Sequence, residues 1–175
     1  MLKITVRESG PVPGGVNLTQ REWNQVKREA WQDVAEYWHE ELLPKHFTAA
    51  GAKEYDYTPR RGEMSGTSAK RFFRSYTGRK QKQKGHRNPL VWSGELRDRS
   101  RTRRIQTFAT SSQSGVRIYL SAAQKANWKN PHSDIDMADE LTRISSQEYD
   151  LLTRMFAEKL EEKLARIQTV TETPV

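Results

Sequence analysis

The sequence predicts an α+β fold: a small antiparallel sheet packed against a long N-terminal helix and a C-terminal helix, with a long basic loop between them. Three observations predict it. A capping box opens each of two amphipathic stretches, one near either end of the chain. Short runs at the start and in the middle alternate apolar and polar residues. Between Arg60 and Arg104 lie 15 of the 30 lysines and arginines, against only Glu63, Glu95 and Asp98, a balance of +12 in a chain of net charge +8. Positive charge is therefore confined to one segment, which points to a negatively charged partner rather than to a solubility coat.

The chain opens with Leu2, Ile4 and Val6 alternating with Lys3, Thr5 and Arg7, the period of a half-buried strand. This opening has no apolar run of the signal-peptide kind, and no stretch approaches the ~18 apolar residues of a membrane span. Gly10 to Gly15 then breaks regular structure. Thr19 with Glu22 forms the first capping box, and Leu18 with Trp23 is spaced as a hydrophobic staple. Trp23, Val26, Ala30, Val34, Tyr37, Trp38 and Leu42 follow at three- and four-residue steps, so a helix is expected to run to Leu43, where Pro44 stops it.

The second helix mirrors the first. Ser145 and Glu148 form its capping box and Ile144 with Tyr149 its staple, while Tyr149, Leu152, Phe156, Leu160, Leu164 and Ile167 line one face. Strands are expected at Arg103–Ala109 and Val116–Leu120, joined by a turn over Ser111–Gly115. Thr58 to Lys70 reads as loop, Arg79 to Lys84 as an exposed basic run, and Asn127 to Asp139 as a polar loop. With 175 residues the natural division is one domain over 1–168, carrying an extended basic loop at about 58–88, with a flexible tail at 169–175. Apolar residues make up 34% and are sparse in the middle third, so the core must come from the two ends and a few central strands. The absence of cysteine excludes disulfides and thiolate metal sites and fits synthesis in a reducing cytosol.

Catalytic signals are weak. His39-Glu40 lacks the second histidine four residues on that a zinc-protease helix requires, since Leu43 stands there, and His39 is expected to face solvent. His132, Asp134 and Asp136 share a loop without the glycine and ligand number of a calcium site. No nucleophile elbow or phosphate loop occurs, so neither enzyme activity nor a cofactor or metal is expected. A hydrolase built on His39 or His132 has the least support.

The basic window holds the candidate contact residues. Arg97, Arg99, Arg101 and Arg103 occupy alternate positions, which on an extended strand makes one dense positive stripe. Arg79, Lys80, Lys82 and Lys84 form a second group, and Phe72, Phe73, Tyr76 and Trp92 place aromatic faces among the cations. The bland reading is a solvated surface with a few core aromatics; the concentration of charge favours contact with another subunit or with DNA. Between the two groups, Pro89, Leu90, Val91, Trp92 and Leu96 form an apolar anchor, with Gly94 supplying a backbone conformation that side chains disfavour.

Pro89, Leu90, Val91, Ser93, Gly94, Leu96 and Arg97 match the pattern Pro-Leu-Val-x-Ser/Thr-Gly-x-Leu-Arg, after a basic loop and before a hairpin. In this the chain resembles the tail-completion and virion-morphogenesis proteins of tailed bacteriophages, which include the minor tail protein Z and gpG-like families. Leu43-Pro-Lys-His-Phe47 and Met137-Ala-Asp-Glu-Leu-Thr142 stand in supporting positions, and the element order covers residues 1–168. The resemblance implies a small α+β structural protein of the head–tail junction, assembled in the host cytoplasm as a ring, often of six copies. Its implied partners are its own copies, the head connector or adaptor, and tail-tube proteins, with nonspecific contact to genomic DNA in the channel and no membrane. The strands at Thr107–Thr110 and Val116–Leu120 are candidates for a sheet that continues between subunits. The alternative is a sequence-nonspecific nucleic-acid-binding protein gripping phosphates through the central segment.

Overall fold

A computed structural model describes residues 1–7, 18–60, 63, 66–122, 126 and 135–171; the Gly10–Gly15 break, residues 127–134 with His132 and Asp134, and the end of the tail lie outside them. The fold is α+β. Its elements are β1 (Leu2–Arg7), α1 (Gln20–Tyr37), α2 (Ala49–Glu54), α3 (Ala69–Arg74), α4 (Tyr76–Lys84), α5 (Glu95–Ser100), β2 (Arg103–Ala109), β3 (Gln113–Leu120), α6 (Met137–Thr142) and α7 (Ser146–Thr171). They group into two compact units, one of Met1–Glu40, Arg103–Tyr119 and Ile144–Val175, the other of Glu41–Thr102 and Leu120–Arg143.

In the first unit β3 is the central strand of a three-stranded sheet, with β1 and β2 on its flanks. Leu2 lies opposite Ile118 and Ile4 opposite Val116 in the antiparallel β1–β3 pair, and all four are buried. The hairpin turn is shorter than the sequence suggests, because Thr110 closes it early. Its N–H donates to the Gln113 carbonyl at 2.8 Å, and its hydroxyl oxygen accepts from the N–H groups of Ser112 and Gln113. Ser114 and Gly115 therefore belong to the strand. At Gly115 a Cβ would collide with the Ile4 carbonyl oxygen and meet the Phe108 ring at 2.8 Å. β3 is paired on both edges, so the outer strands of the sheet are β1 and β2, and any continuation of the sheet would run through one of them.

Helix α1 begins at the expected capping box, with Thr19 N–H donating to Glu22 at 2.8 Å and Glu22 N–H donating to the Thr19 hydroxyl at 3.3 Å. Trp23, Val26, Ala30, Val34, Trp38 and Leu42 are buried as the periodicity requires, and Leu18 packs with Trp23, Val26, Leu160, Leu164 and Ile167. A second row, Lys27, Trp31 and Ala35, is buried as well. Trp31 explains it: its ring stacks on Phe156 at 4.4 Å and its N–H donates to Ser114 Oγ at 2.8 Å. Lys27 reaches past the Trp23 ring to donate to the Thr110 carbonyl at 2.7 Å, fastening the helix to the hairpin turn.

The α-helix ends six residues before Leu43, continuing as a π-helical turn at Trp38–Leu42 and a 3-10 turn at Leu43–Phe47. Repeated four-residue steps drift about 40° each around an α-helix. The wider turn rotates each residue through a smaller angle and brings Leu42 back into line with Trp38. It also turns His39 inward, contrary to expectation: the residue is buried, and its Nδ1 lies 3.1 Å from an Arg103 guanidinium nitrogen. Pro44 sits in the first positions of the 3-10 turn, where a missing N–H costs nothing.

Helix α7 starts at the expected Ser145–Glu148 capping box and runs on to Thr171, past the point where the tail was expected to begin. Leu152, Phe156 and Leu164 are buried, but Tyr149 is exposed; in the first turn Glu148 takes the inward position instead.

In the second unit His46 is fully buried between Tyr55, stacked on it at 3.9 Å, and Tyr57, whose hydroxyl lies 2.6 Å from Nδ1. Tyr57 donates to the Glu140 carbonyl at 2.7 Å, and the Glu140 carboxylate receives two guanidinium N–H groups of Arg60 at 2.7 and 2.6 Å. Asp136 caps α6 by accepting from Ala138 and Asp139 N–H groups, so the expected polar loop ends in a helix.

Two outcomes follow. Gly115→Ala should destabilise the protein by about 2 kcal/mol or more, because neither backbone nor ring has room to yield, and a thermal melt reads this directly. Burial pushes the His46 imidazole down to about 4. The unfolded chain then binds this proton more tightly than the folded one, so stability present above pH ~6.5 drains away as pH falls toward 4, by on the order of 3 kcal/mol. Denaturant melts across that range should show the loss, and His46→Phe should flatten it.

Candidate contact surface

The basic segment is not a loop throughout; serines at 68 and 75 start two helices in it. Ser68 accepts from the Arg71 N–H at the head of α3, and Ser75 accepts from the Gly78 N–H at the head of α4. The Ser75 hydroxyl also donates to the Phe72 carbonyl at 2.6 Å, so one side chain closes α3 and opens α4. Gly78 lets the two helices meet, since a Cβ there would collide with the Phe72 carbonyl oxygen. Gly85, at φ +73°, ends α4. These serines and glycines are ordinary cap signals, and they outweigh the lack of apolar periodicity.

Next in the chain, Pro89, Leu90, Val91 and Leu96 are buried in the same unit, as expected of the anchor. Leu90 takes φ +54° and Gly94 φ +85°, the two left-handed residues that fold the segment and start α5. Trp92 departs from its expected role. It is 38% exposed and lies against Tyr76, itself 45% exposed, with ring centroids 5.1 Å apart.

Beneath that pair is Lys80, expected on the surface but only 3% exposed. Its ammonium donates to the Asn88 carbonyl and sits 5.3 Å from the Tyr76 ring centroid. Burial, and then the Arg60 charge, push its pKa down to about 8, with Glu63 opposing. Lys80 is thus an internal clamp holding α4 to the anchor rather than a contact residue.

The expected arginine stripe does not form. Arg97 and Arg99 lie on α5, where a two-residue step points side chains to different sides. Arg99 pairs with Glu95 at 2.9 Å, Arg97 lies 3.8 Å from Asp98, and Arg103 pairs with Glu40 at 3.1 Å beside His39. Arg101 follows as the C-cap of α5. Their charge is largely answered within the chain.

Arg79, Lys82 and Lys84 are different. All three are exposed on α4, and among the described residues none has an ion-pair partner. Tyr76, Arg79 and Lys82 recur every third residue and so share one side of the helix. On α3, Phe73 is 58% exposed and packs edge-on to Phe72 at 5.2 Å, while Arg87 covers Phe72 at 4.6 Å and donates to Gln81 at 2.6 Å. The three-residue spacing and the neighbouring aromatics were present in the sequence, but only helical geometry makes them a face.

Chemically this face offers ring surfaces and cationic N–H donors. Among the described residues no group of three or more histidines or carboxylates is placed to hold a metal ion, and no helix is long and apolar enough to cross a membrane. No family model, curated protein or solved structure matches this chain.

Substitution of the backbone-critical glycines separates the two halves of this construction. Gly94→Ala should cost about 1 kcal/mol through left-handed strain. Gly78→Ala should cost about 2 kcal/mol or more, because the α3–α4 corner must open. Thermal denaturation of the two variants measures both.

Proposed function

We propose that this chain is a structural protein of the tailed-phage head–tail junction, a neck, tail-completion or tail-terminator subunit. It acts by assembling as a ring that joins tail to head around the DNA channel. The observation that carries this reading is the fold of Pro89–Arg97. Its apolar members Pro89, Leu90, Val91 and Leu96 are buried, Gly94 is left-handed, and the segment stands between the basic helices and the β2–β3 hairpin. Each matching residue of the phage pattern other than Ser93 and Arg97 therefore has a structural task. The surrounding order of strand, long helix, basic segment, hairpin and final helix supports the same reading.

Its partners in this reading are its own copies, often six, the head connector or adaptor, and the tail-tube proteins, and it works by contact without cofactor or catalytic step. DNA in the channel is touched without regard to sequence. A general nucleic-acid-binding protein is the weaker reading, because three of the four stripe arginines are engaged with Glu40, Glu95 and Asp98 and Lys80 is buried, which leaves Arg79, Lys82 and Lys84 of the expected phosphate grip. In assembly extracts lacking this protein, filled heads and finished tails should accumulate separately, and adding the purified chain should join them. Normal yields of joined particles in its absence would overturn the proposal; electron microscopy reads either outcome.

A further inference from the structure

We propose that the face of α4 carrying Tyr76, Arg79 and Lys82, together with Trp92, docks on the acidic side of helix α1 of a second copy of this chain. The inference rests on the ring reading above and names the contact that would build the ring.

The complementary surface is written into α1. Glu22, Gln25, Glu29, Gln32 and Glu36 follow one another at steps of three and four residues, which places them along one side of the helix. Gln25 donates to Glu29 at 2.9 Å and Gln32 to Glu36 at 2.8 Å, while Glu22 is held by Thr19. These partners are neutral and order the carboxylates, but Arg28 donates to Gln25 at 3.4 Å and offsets the charge of the first half of the row, so the acidic surface is strongest from Glu29 onward. Asp33, beside the row, has Lys163 at 2.9 Å and contributes less. From Glu29 to Leu43 the chain has five acids and no lysine or arginine.

The α4 face carries the opposite sign. Arg79 and Lys82 lack ion-pair partners among the described residues, and they flank two exposed rings. Tyrosine, tryptophan and arginine are the residue types that concentrate binding energy at the centre of protein interfaces. The methylene stems of Glu29, Gln32 and Glu36 give such rings an apolar surface to cover, with charge at the rim meeting charge. Two α4 faces, both positive, repel each other, as do two α1 rows. The contact must therefore pair unlike faces, the α4 face of one copy on the α1 row of another. Two copies can satisfy each other reciprocally as a two-fold dimer; otherwise the contact leaves a free face at each end and closes as a ring or extends as a filament.

Light scattering during gel filtration tests this with three proteins whose folding is checked by circular dichroism. They are the wild type, Glu29→Lys/Glu36→Lys, and Arg79→Glu/Lys82→Glu. The wild type should elute as a closed multimer and each variant as a monomer. An equimolar mixture of the variants should assemble again into a multimer of alternating copies, because one variant's unaltered α4 face meets the other's unaltered α1 row and the two reversed faces are complementary in turn. A chain carrying all four reversals should recover the multimer. If both variants keep the wild-type mass, a different surface holds the subunits and the docking inference falls while the ring reading stands. A wild type that remains monomeric at every concentration overturns the inference, and head–tail joining then decides the ring reading by itself. Should the wild type be monomeric yet gain mass on added DNA, with the Arg79→Glu/Lys82→Glu variant losing it, the face serves nucleic acid instead.

Discussion

Inside this protein a buried cation must end on oxygen, and the fold is organised around that requirement. Lys27 finishes on the Thr110 carbonyl, Lys80 on the Asn88 carbonyl, and Arg60 on the Glu140 carboxylate. An unsatisfied buried charge is costly enough that each of these side chains fixes a distant segment in place. Lys27 registers α1 against the hairpin turn in one unit. In the other, Lys80 holds the basic helix to the apolar anchor, and Arg60 holds the chain before α3 to α6. Around an apolar core, these cations act as ties between distant segments.

The fold class and the two long helices were legible because their signals are local. A capping box depends on residues three apart, and an amphipathic face on residues within two turns. The strand edges and the inward turn of His39 were not legible, since both depend on distant partners: Thr110 folding back on Gln113, and Arg103 meeting the π-helical turn. Tyr149 illustrates the limit of periodicity. It falls on the apolar phase of α7, but at the first turn Glu148 faces inward and the tyrosine is left in solvent.

The candidate site was legible in composition but not in geometry. Reading Arg97 to Arg103 as extended made a stripe; the glycine at φ +85° and the carboxylates of Glu95 and Asp98 put Arg97 and Arg99 on a short, self-paired helix, with Arg101 at its end and Arg103 already in β2. Conversely, the run read as an exposed loop becomes α4 through one serine and one glycine, which sorts its cations into one buried clamp and three exposed charges. Counting charge located the surface. Only counting partners showed which of its members are available.

The anchor also determines how Trp92 meets another molecule. Val91 before it and Leu96 after it are buried, and the ring already rests on Tyr76. Its rotamer freedom was largely surrendered when the chain folded. The conformational entropy normally lost when a large side chain is immobilised at an interface, about 0.5–1.5 kcal/mol, is thus mostly absorbed before any encounter, leaving a preorganised surface.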